Sequence, residues 1–202
     1  MKFKQLQSYL SSMSQLSEDD WQLLRDELTV INFDKNANFL SHADLCNEIM
    51  FLTNGVARSY VIDSNGRDYT CNFHFNDPAS SIKNVFVTDY ASIIRNEESK
   101  LYFESLTEVE VILIPVSKVK KLYESNAHWG RIGRIIAEEA YYITQQRTLS
   151  LLTMTATERY EQLINHMPSI VSLIPELYIA SYLGITPQSL SRIKKSLRIT
   201  KW

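Results

Sequence analysis

Cysteine, glycine, proline and long apolar runs are all scarce in this sequence, and each scarcity removes a class of protein. Cys46 and Cys71 are the only two cysteines in 202 residues, too few for a disulfide framework or for a zinc or iron–sulfur site built mainly of thiolates. Free thiols in a reducing cytoplasm are the expectation. Five glycines and five prolines exclude a collagen-like or low-complexity chain. No apolar run nears the ~20 residues a membrane span requires, and Met1–Leu10 is polar, without a signal-peptide apolar stretch. Closely spaced histidines are missing too. His42 and His74 lie far apart with no His-x-His pair, and His128 and His166 fall in helical stretches, so a cupin-like metal site has no ligand set. There is neither a Gly-x-Ser-x-Gly elbow nor a phosphate loop. A non-enzyme with no catalytic residue, metal or cofactor is therefore expected. What remains is ordinary globular composition, 45% hydrophobic and 22% charged.

Net charge is also low, at −2. Its distribution is uneven. Of the 21 basic side chains, five (Arg192, Lys194, Lys195, Arg198 and Lys201) fall in residues 186–202, with none of the 23 acidic ones. A local basic patch attracts phosphate even when the whole chain is acidic.

Residues 3–28 read as helical, with Leu6, Leu10 and Met13 at helical spacing and Ser17 as an N-cap ahead of Asp20. From Thr29 to about Pro115 the chain changes to short runs rich in β-branched and aromatic residues. Asn54-Gly55 and Ser64-Asn65-Gly66 each separate two such runs. Both predict hairpins, and so an antiparallel meander or barrel, with Tyr102–Leu106 and Glu108–Ile114 as a final strand pair. After Pro115 a short helix is predicted over Val116–Glu124. A long one follows over Asn126–Leu152, about 40 Å at ~1.5 Å per residue. In it Trp129, Ile136 and Ile143 repeat every seven residues, and Ile135, Tyr142 and Leu149 do so on the adjacent stripe. One stripe can cover the β domain while the other meets a second copy; a single wide core-facing stripe in a monomer is the alternative. The expected partner-facing positions are Trp129, Ile132, Ile136 and Ile143, though the pattern does not decide between the stripes. Thr155 and Glu158 form a capping box, which puts a hinge at residues 153–155. The expected division is 1–125, a β-rich domain with flanking helices; 126–154, the long helix and hinge; and 155–202, a C-terminal helical domain.

The most informative stretch is residues 174–197. Ala180 is small enough for two helices to cross closely, Gly184 follows four residues later, and Ile185 and Leu190 can plug the angle between the helices. That order is helix-turn-helix spacing. Thr186 can cap the second helix, with Pro187 at its first position. At ~100° per residue, Leu190, Ile193 and Leu197 form one face and Gln188, Arg192 and Lys195 the opposite one, with Ser189 and Ser196 at its margins. Gln and Arg can pair with adenine and guanine in the major groove. Thr186, Lys194, Lys195 and Arg198 are the expected phosphate contacts.

Four stretches together resemble the Crp/Fnr family of transcription factors. They are Phe51-Leu-Thr-Asn-Gly-Val-Ala-Arg58, Thr157-Glu-Arg-Tyr160, Ile179-Ala-Ser-Tyr-Leu-Gly-Ile-Thr186 and Leu190-Ser-Arg192. With the long helix, the likeness spans almost the whole chain. It implies an α+β fold whose N-terminal half is an antiparallel β-roll, of double-stranded jelly-roll and cyclic-nucleotide-binding type, with flanking helices. A long dimerisation helix and a C-terminal helix-turn-helix of winged-helix type would follow. Only Arg198–Trp202 follow the second helix, so a reduced wing is expected. The resemblance also implies a cytoplasmic homodimeric regulator that reads an inverted repeat in double-stranded DNA, with Gln188, Ser189 and Arg192 as base readers and RNA polymerase as a further partner. One departure concerns the input. Nucleotide-binding members carry a Gly-Glu-Leu stretch and an Arg-Ser/Thr-Ala stretch, whereas residues 76–105 contain no glycine and have Ser99-Lys100 where the phosphate arginine would fall. Cyclic AMP is not expected, and the residues name no other effector. The alternative function is a signalling module that binds a ligand or protein and whose C-terminal helices dock a partner rather than DNA.

Overall fold

The computed structural model describes residues 3–200, except the side chains of residues 198–200. Two short helices open the chain, α1 (Lys4–Ser11) and α2 (Glu18–Arg25). Ser17 caps α2 in a reciprocal box: its Oγ accepts the Asp20 N–H at 3.1 Å, and Asp20 Oδ2 accepts the Ser17 N–H at 3.2 Å. Leu6, Leu10, Trp21 and Leu24 turn inward onto the first layer of the roll.

That roll contains β1 (Thr29–Phe33), β2 (Asn38–Leu40), β3 (Glu48–Asn54), β4 (Val56–Ile62), β5 (Asp68–Phe75), β6 (Phe86–Val87), β7 (Tyr102–Ser105) and β8 (Val109–Pro115), with α3 (Tyr90–Arg95) between β6 and β7. They form two four-stranded antiparallel sheets, ordered β1-β8-β3-β6 and β2-β7-β4-β5. The turn at Asn65-Gly66 is a hairpin, with β4 and β5 paired from Val56↔Phe75 to Ile62↔Asp68. Asn54-Gly55 is not one: β3 belongs to the first sheet and β4 to the second. The expected final strand pair fails in the same way, because β7 pairs with β2 and β4 while β8 pairs with β1 and β3. Both corrections have one cause. In a two-layered roll a chain reversal can carry the strand across the core into the other sheet. Turn chemistry is the same whether or not the strands it joins are paired. The layers enclose Leu52, Ala57, Phe103, Val109 and Val111.

Helices α4 (Val116–Ser125) and α5 (Ala127–Thr153) follow. Asn126 caps α5 by accepting the His128 and Trp129 N–H groups at 3.0 and 3.2 Å. Trp129 and Ile132 are 3% and 2% exposed, packed into the core beneath the first sheet, with Ile136 against the same cluster. This corrects the assignment of Trp129 and Ile132 as partner-facing: side chains buried in their own chain have no surface left to offer a second copy. Beyond Met154 come α6 (Ala156–His166), α7 (Pro168–Val171), α8 (Glu176–Leu183) and α9 (Pro187–Thr200). The Thr155–Glu158 capping box is formed in full at the start of α6. The apolar core of these four helices continues into the roll, where Tyr160, Leu163, Leu183 and Leu190 share one cluster with Val56, Phe73, Phe75 and Leu106.

Candidate nucleic-acid interface and the seam behind it

The hairpin of α8 and α9 is assembled around its turn. Ala180 is fully buried. Gly184 takes φ +68°, and the Ile185 N–H returns to the Ala180 carbonyl at 3.0 Å. Leu190 is fully buried, and Ile185, Ile193 and Leu197 pack against it from half-buried positions. The residues singled out by spacing are therefore those that close the angle between the helices.

An apolar back leaves a polar front. Gln188, Arg192 and Lys195 are exposed on the opposite side of α9. Thr186 caps the helix, accepting the Ser189 N–H at 3.2 Å, and the Thr186 and Ser189 hydroxyls lie 3.0 Å apart. These two expected DNA contacts thus sit in the cap of the helix. Lys194 differs from expectation. It is half-buried and ion-paired with Glu176 at the start of α8, so its charge is partly spent within the motif. The side chain of Arg198 lies outside the described residues, as does Lys201.

Behind the hairpin, α8 docks on β5. Ser181 Oγ donates to the Asp68 carbonyl at 2.9 Å and accepts the Thr70 N–H at 2.8 Å. Beside it Arg58, 2% exposed, forms a two-pronged pair with Asp68 (2.7 and 2.6 Å) and reaches Glu104 at 3.2 Å and Thr70 Oγ1 at 3.0 Å. Its guanidinium carbon lies 3.6 Å from the Tyr178 ring centre, on α8, and 4.0 Å from that of Tyr60. Burial opposes the charge on Arg58. The hydrogen bonds and charges of Asp68 and Glu104 outweigh it and raise the pKa above the usual arginine value.

No protein-family model and no curated protein sequence matches the chain. Solved structures do. FixK2 from Bradyrhizobium japonicum superposes with a TM-score of 0.72 at 19% identity, over 86% of each chain. A putative crp/fnr-family transcriptional regulator from Eubacterium rectale gives 0.71 at 15% identity, over 92% of this chain and 85% of that one. The regulator CLP of Xanthomonas campestris, described as c-di-GMP responsive, gives 0.67 at 10% identity, over 92% and 93%. The chain has a Crp/Fnr-type fold.

Within this Crp/Fnr-type fold, residues 76–105 hold an internal carboxylate rather than an open anion site. Asp89 Oδ1 accepts the Ala91 and Ser92 N–H groups at the start of α3, at 3.0 and 3.2 Å, and Oδ2 accepts the Ser99 hydroxyl at 2.8 Å. Between the roll and α5 lies a cavity of about 400 Å³ whose wall includes His74, Lys83, Tyr90 and Glu139. Arg95 and Lys100 are exposed and are not part of that wall. His74 faces Phe86 O with Nδ1 (3.0 Å) and Ser59 Oγ with Nε2 (3.1 Å), and burial lowers its pKa to about 4. It is therefore neutral, donating from Nδ1 to the carbonyl and accepting from the hydroxyl.

Sequence reasoning missed the Arg58–Tyr178 contact, the Asp89 cap, and Arg147 on α5 and Arg159 on α6, which donate to the Tyr182 and Leu183 carbonyls. The arginine contacts join residues too far apart in the chain for spacing to reveal. Asp89 alone carried a local signal, an Asp two and three residues ahead of the amides it caps.

Proposed function

We propose that this chain is a sequence-specific DNA-binding transcriptional regulator, acting as a homodimer in the cytoplasm and not as an enzyme. The observation that carries the reading is α9: an apolar back locked into a helix-turn-helix, and a front of Gln188, Arg192 and Lys195 that is exposed and free of acidic residues. A major-groove helix needs both faces. Gln188 and Arg192 read base edges, Ser189 supports them from the cap, and Lys195 and Arg198 neutralise phosphates, with Thr186 and Lys194 at the margin. Residues 1–125 act as a sensor, 126–154 as the dimer helix and hinge, and 155–202 as the reader. The partner-facing stripe of α5 is the one with exposed apolar side chains, Tyr142, Leu149 and Leu152, with half-buried Ile135 at its edge. RNA polymerase is the further protein partner.

The nucleotide site of the roll is degenerate in this reading. A cyclic phosphate would need the amides that Asp89 occupies. It would also need a guanidinium aimed at it, and Arg95 points to solvent. Arg192→Ala is expected to cost about 1–3 kcal/mol on the preferred site and to relax base choice at one position of each half-site. Lys195→Ala should weaken all sequences alike and flatten the salt dependence. Competition binding with single-base variants of the preferred duplex separates the two effects; unchanged discrimination after Arg192→Ala would remove it from the reading face.

A further inference from the structure

Two guanidinium groups lie where α5, α6 and α8 meet the roll, and neither faces a carboxylate. Arg147, on α5, donates to the Tyr182 carbonyl and stacks with its carbon 3.7 Å from the Tyr182 ring centre. Arg159, on α6, donates to the Leu183 carbonyl from Nε and Nη2 at 3.2 and 2.8 Å, and to the Met154 carbonyl from Nη1 at 2.5 Å. Both hold the C-terminal carbonyls of α8, the negative end of its dipole. Among the described residues no ion pair includes either one. Carbonyl dipoles compensate a full charge incompletely. Burial, aided by the like charge of Arg159, holds Arg147 below the usual arginine value.

Beside the pair opens a crevice of about 180 Å³. Its polar wall is Arg147, Arg159, His166 and the amides of Asn72, Gln146 and Gln162, with Ser150; no acidic residue lines it. The rest is aromatic and aliphatic, including the Tyr142 and Tyr182 side chains. A cavity of roughly 150 Å³ accepts one benzene-sized body. A mostly apolar wall with a few convergent polar groups is the ordinary make-up of a small-molecule site.

We propose that this crevice binds a small organic anion, with one carboxylate or phosphate for the guanidinium groups and one ring-sized apolar body for the tyrosine-lined wall. The bound oxyanion takes up donor capacity that the carbonyls leave unfilled and supplies the missing counter-charge. On the reading of the chain as a DNA-binding regulator, this reaches the output directly. The same N–H groups hold the last turn of α8, and Asn72 brings β5 of the roll to the same wall.

Calorimetric titration of the full chain with benzoate and with phenyl phosphate tests the site, with inorganic phosphate as the charge-only control. At least one ring-bearing anion should bind saturably, one per chain, and more tightly than inorganic phosphate. Arg147→Gln should weaken it by about tenfold or more, the loss expected for one charge-assisted contact. Gln146→Glu, which adds an acid to the wall without touching the arginine hydrogen bonds, should do the same. Lys83→Ala, in the neighbouring cavity, should leave binding unchanged. No saturable binding of either ring anion up to about 10 mM, or binding that both Arg147→Gln and Gln146→Glu leave intact, overturns the proposal. The titration contains no DNA, so failure of the DNA reading leaves its result standing.

Discussion

His74 is 5% exposed, and both its ring nitrogens are already engaged, by Phe86 and Ser59. Burial disfavours the charged ring more than the Phe86 carbonyl favours it, so folding lowers the pKa from 6.5 to about 4. The sign follows from proton counting. Between those two values the unfolded chain binds a proton that the folded chain refuses. The contribution of His74 is whole above about pH 6.5 and is lost as pH falls, by on the order of 3 kcal/mol at pH 4. Urea unfolding from about pH 7 to pH 4 should show that decline, and His74→Gln should show a shallower one; equal slopes would place the effect elsewhere. Arg58 is the opposite case, a buried charge that stays charged because Asp68 and Glu104 face it. Removing one partner of such a cluster typically costs about 3–5 kcal/mol. None of this was legible in the sequence. Arg58 interrupts the apolar run of β4 as an outward-facing strand residue would, and Tyr178, the ring it stacks on, lies 120 positions later.

Elements were read more successfully than their pairing. The N-cap at Ser17, the capping box at Thr155, the long helix and the helix-turn-helix all have local causes, a cap oxygen, a repeat or a small residue at a crossing, and all are found where those causes stand. The two Asn-Gly turns had the same signature and different outcomes. At Gly66 the chain folds back on its own sheet; at Gly55 it crosses to the other layer, tight against the β7–β8 turn. Substitution should expose the difference. Gly66→Ala meets open space and carries only the strain of φ +76°, about 1–2 kcal/mol. Gly55→Ala adds to φ +90° a Cβ placed 2.3 Å from the Glu108 carbonyl oxygen, a backbone atom that cannot swing away. It should cost at least twice as much by the unfolding midpoint; equal costs would mean that the crossing has slack.

Seen whole, the chain spends one side of α5 on itself and leaves the other uncovered. Trp129 and Ile132 are sealed into the core, while Tyr142 and Leu152 stand 58% and 77% exposed. Exposed side chains of that size along one helix face are what a self-complementary dimer interface requires. Sedimentation should find a dimer. Tyr142→Glu combined with Leu149→Glu should give a monomer with an unchanged thermal midpoint when dissociated wild type is the reference. A wild-type monomer, or a dimer that survives both charges, would contradict this assignment. The two-stripe pattern was legible in the sequence, but which stripe faced inward was not, because the roll that decides it is built from residues far upstream.

At the scale of the whole molecule, the proposed role of α9 is to read DNA. The most direct test is to select preferred duplexes from a random pool with this chain, then measure its affinity for the winner across a salt series. The expected winner is an inverted repeat with half-sites about one helical turn apart. Its log affinity should fall linearly with log salt, by about 0.9 per neutralised phosphate. A pool that returns no enriched sequence, with binding that salt does not weaken, would contradict the account.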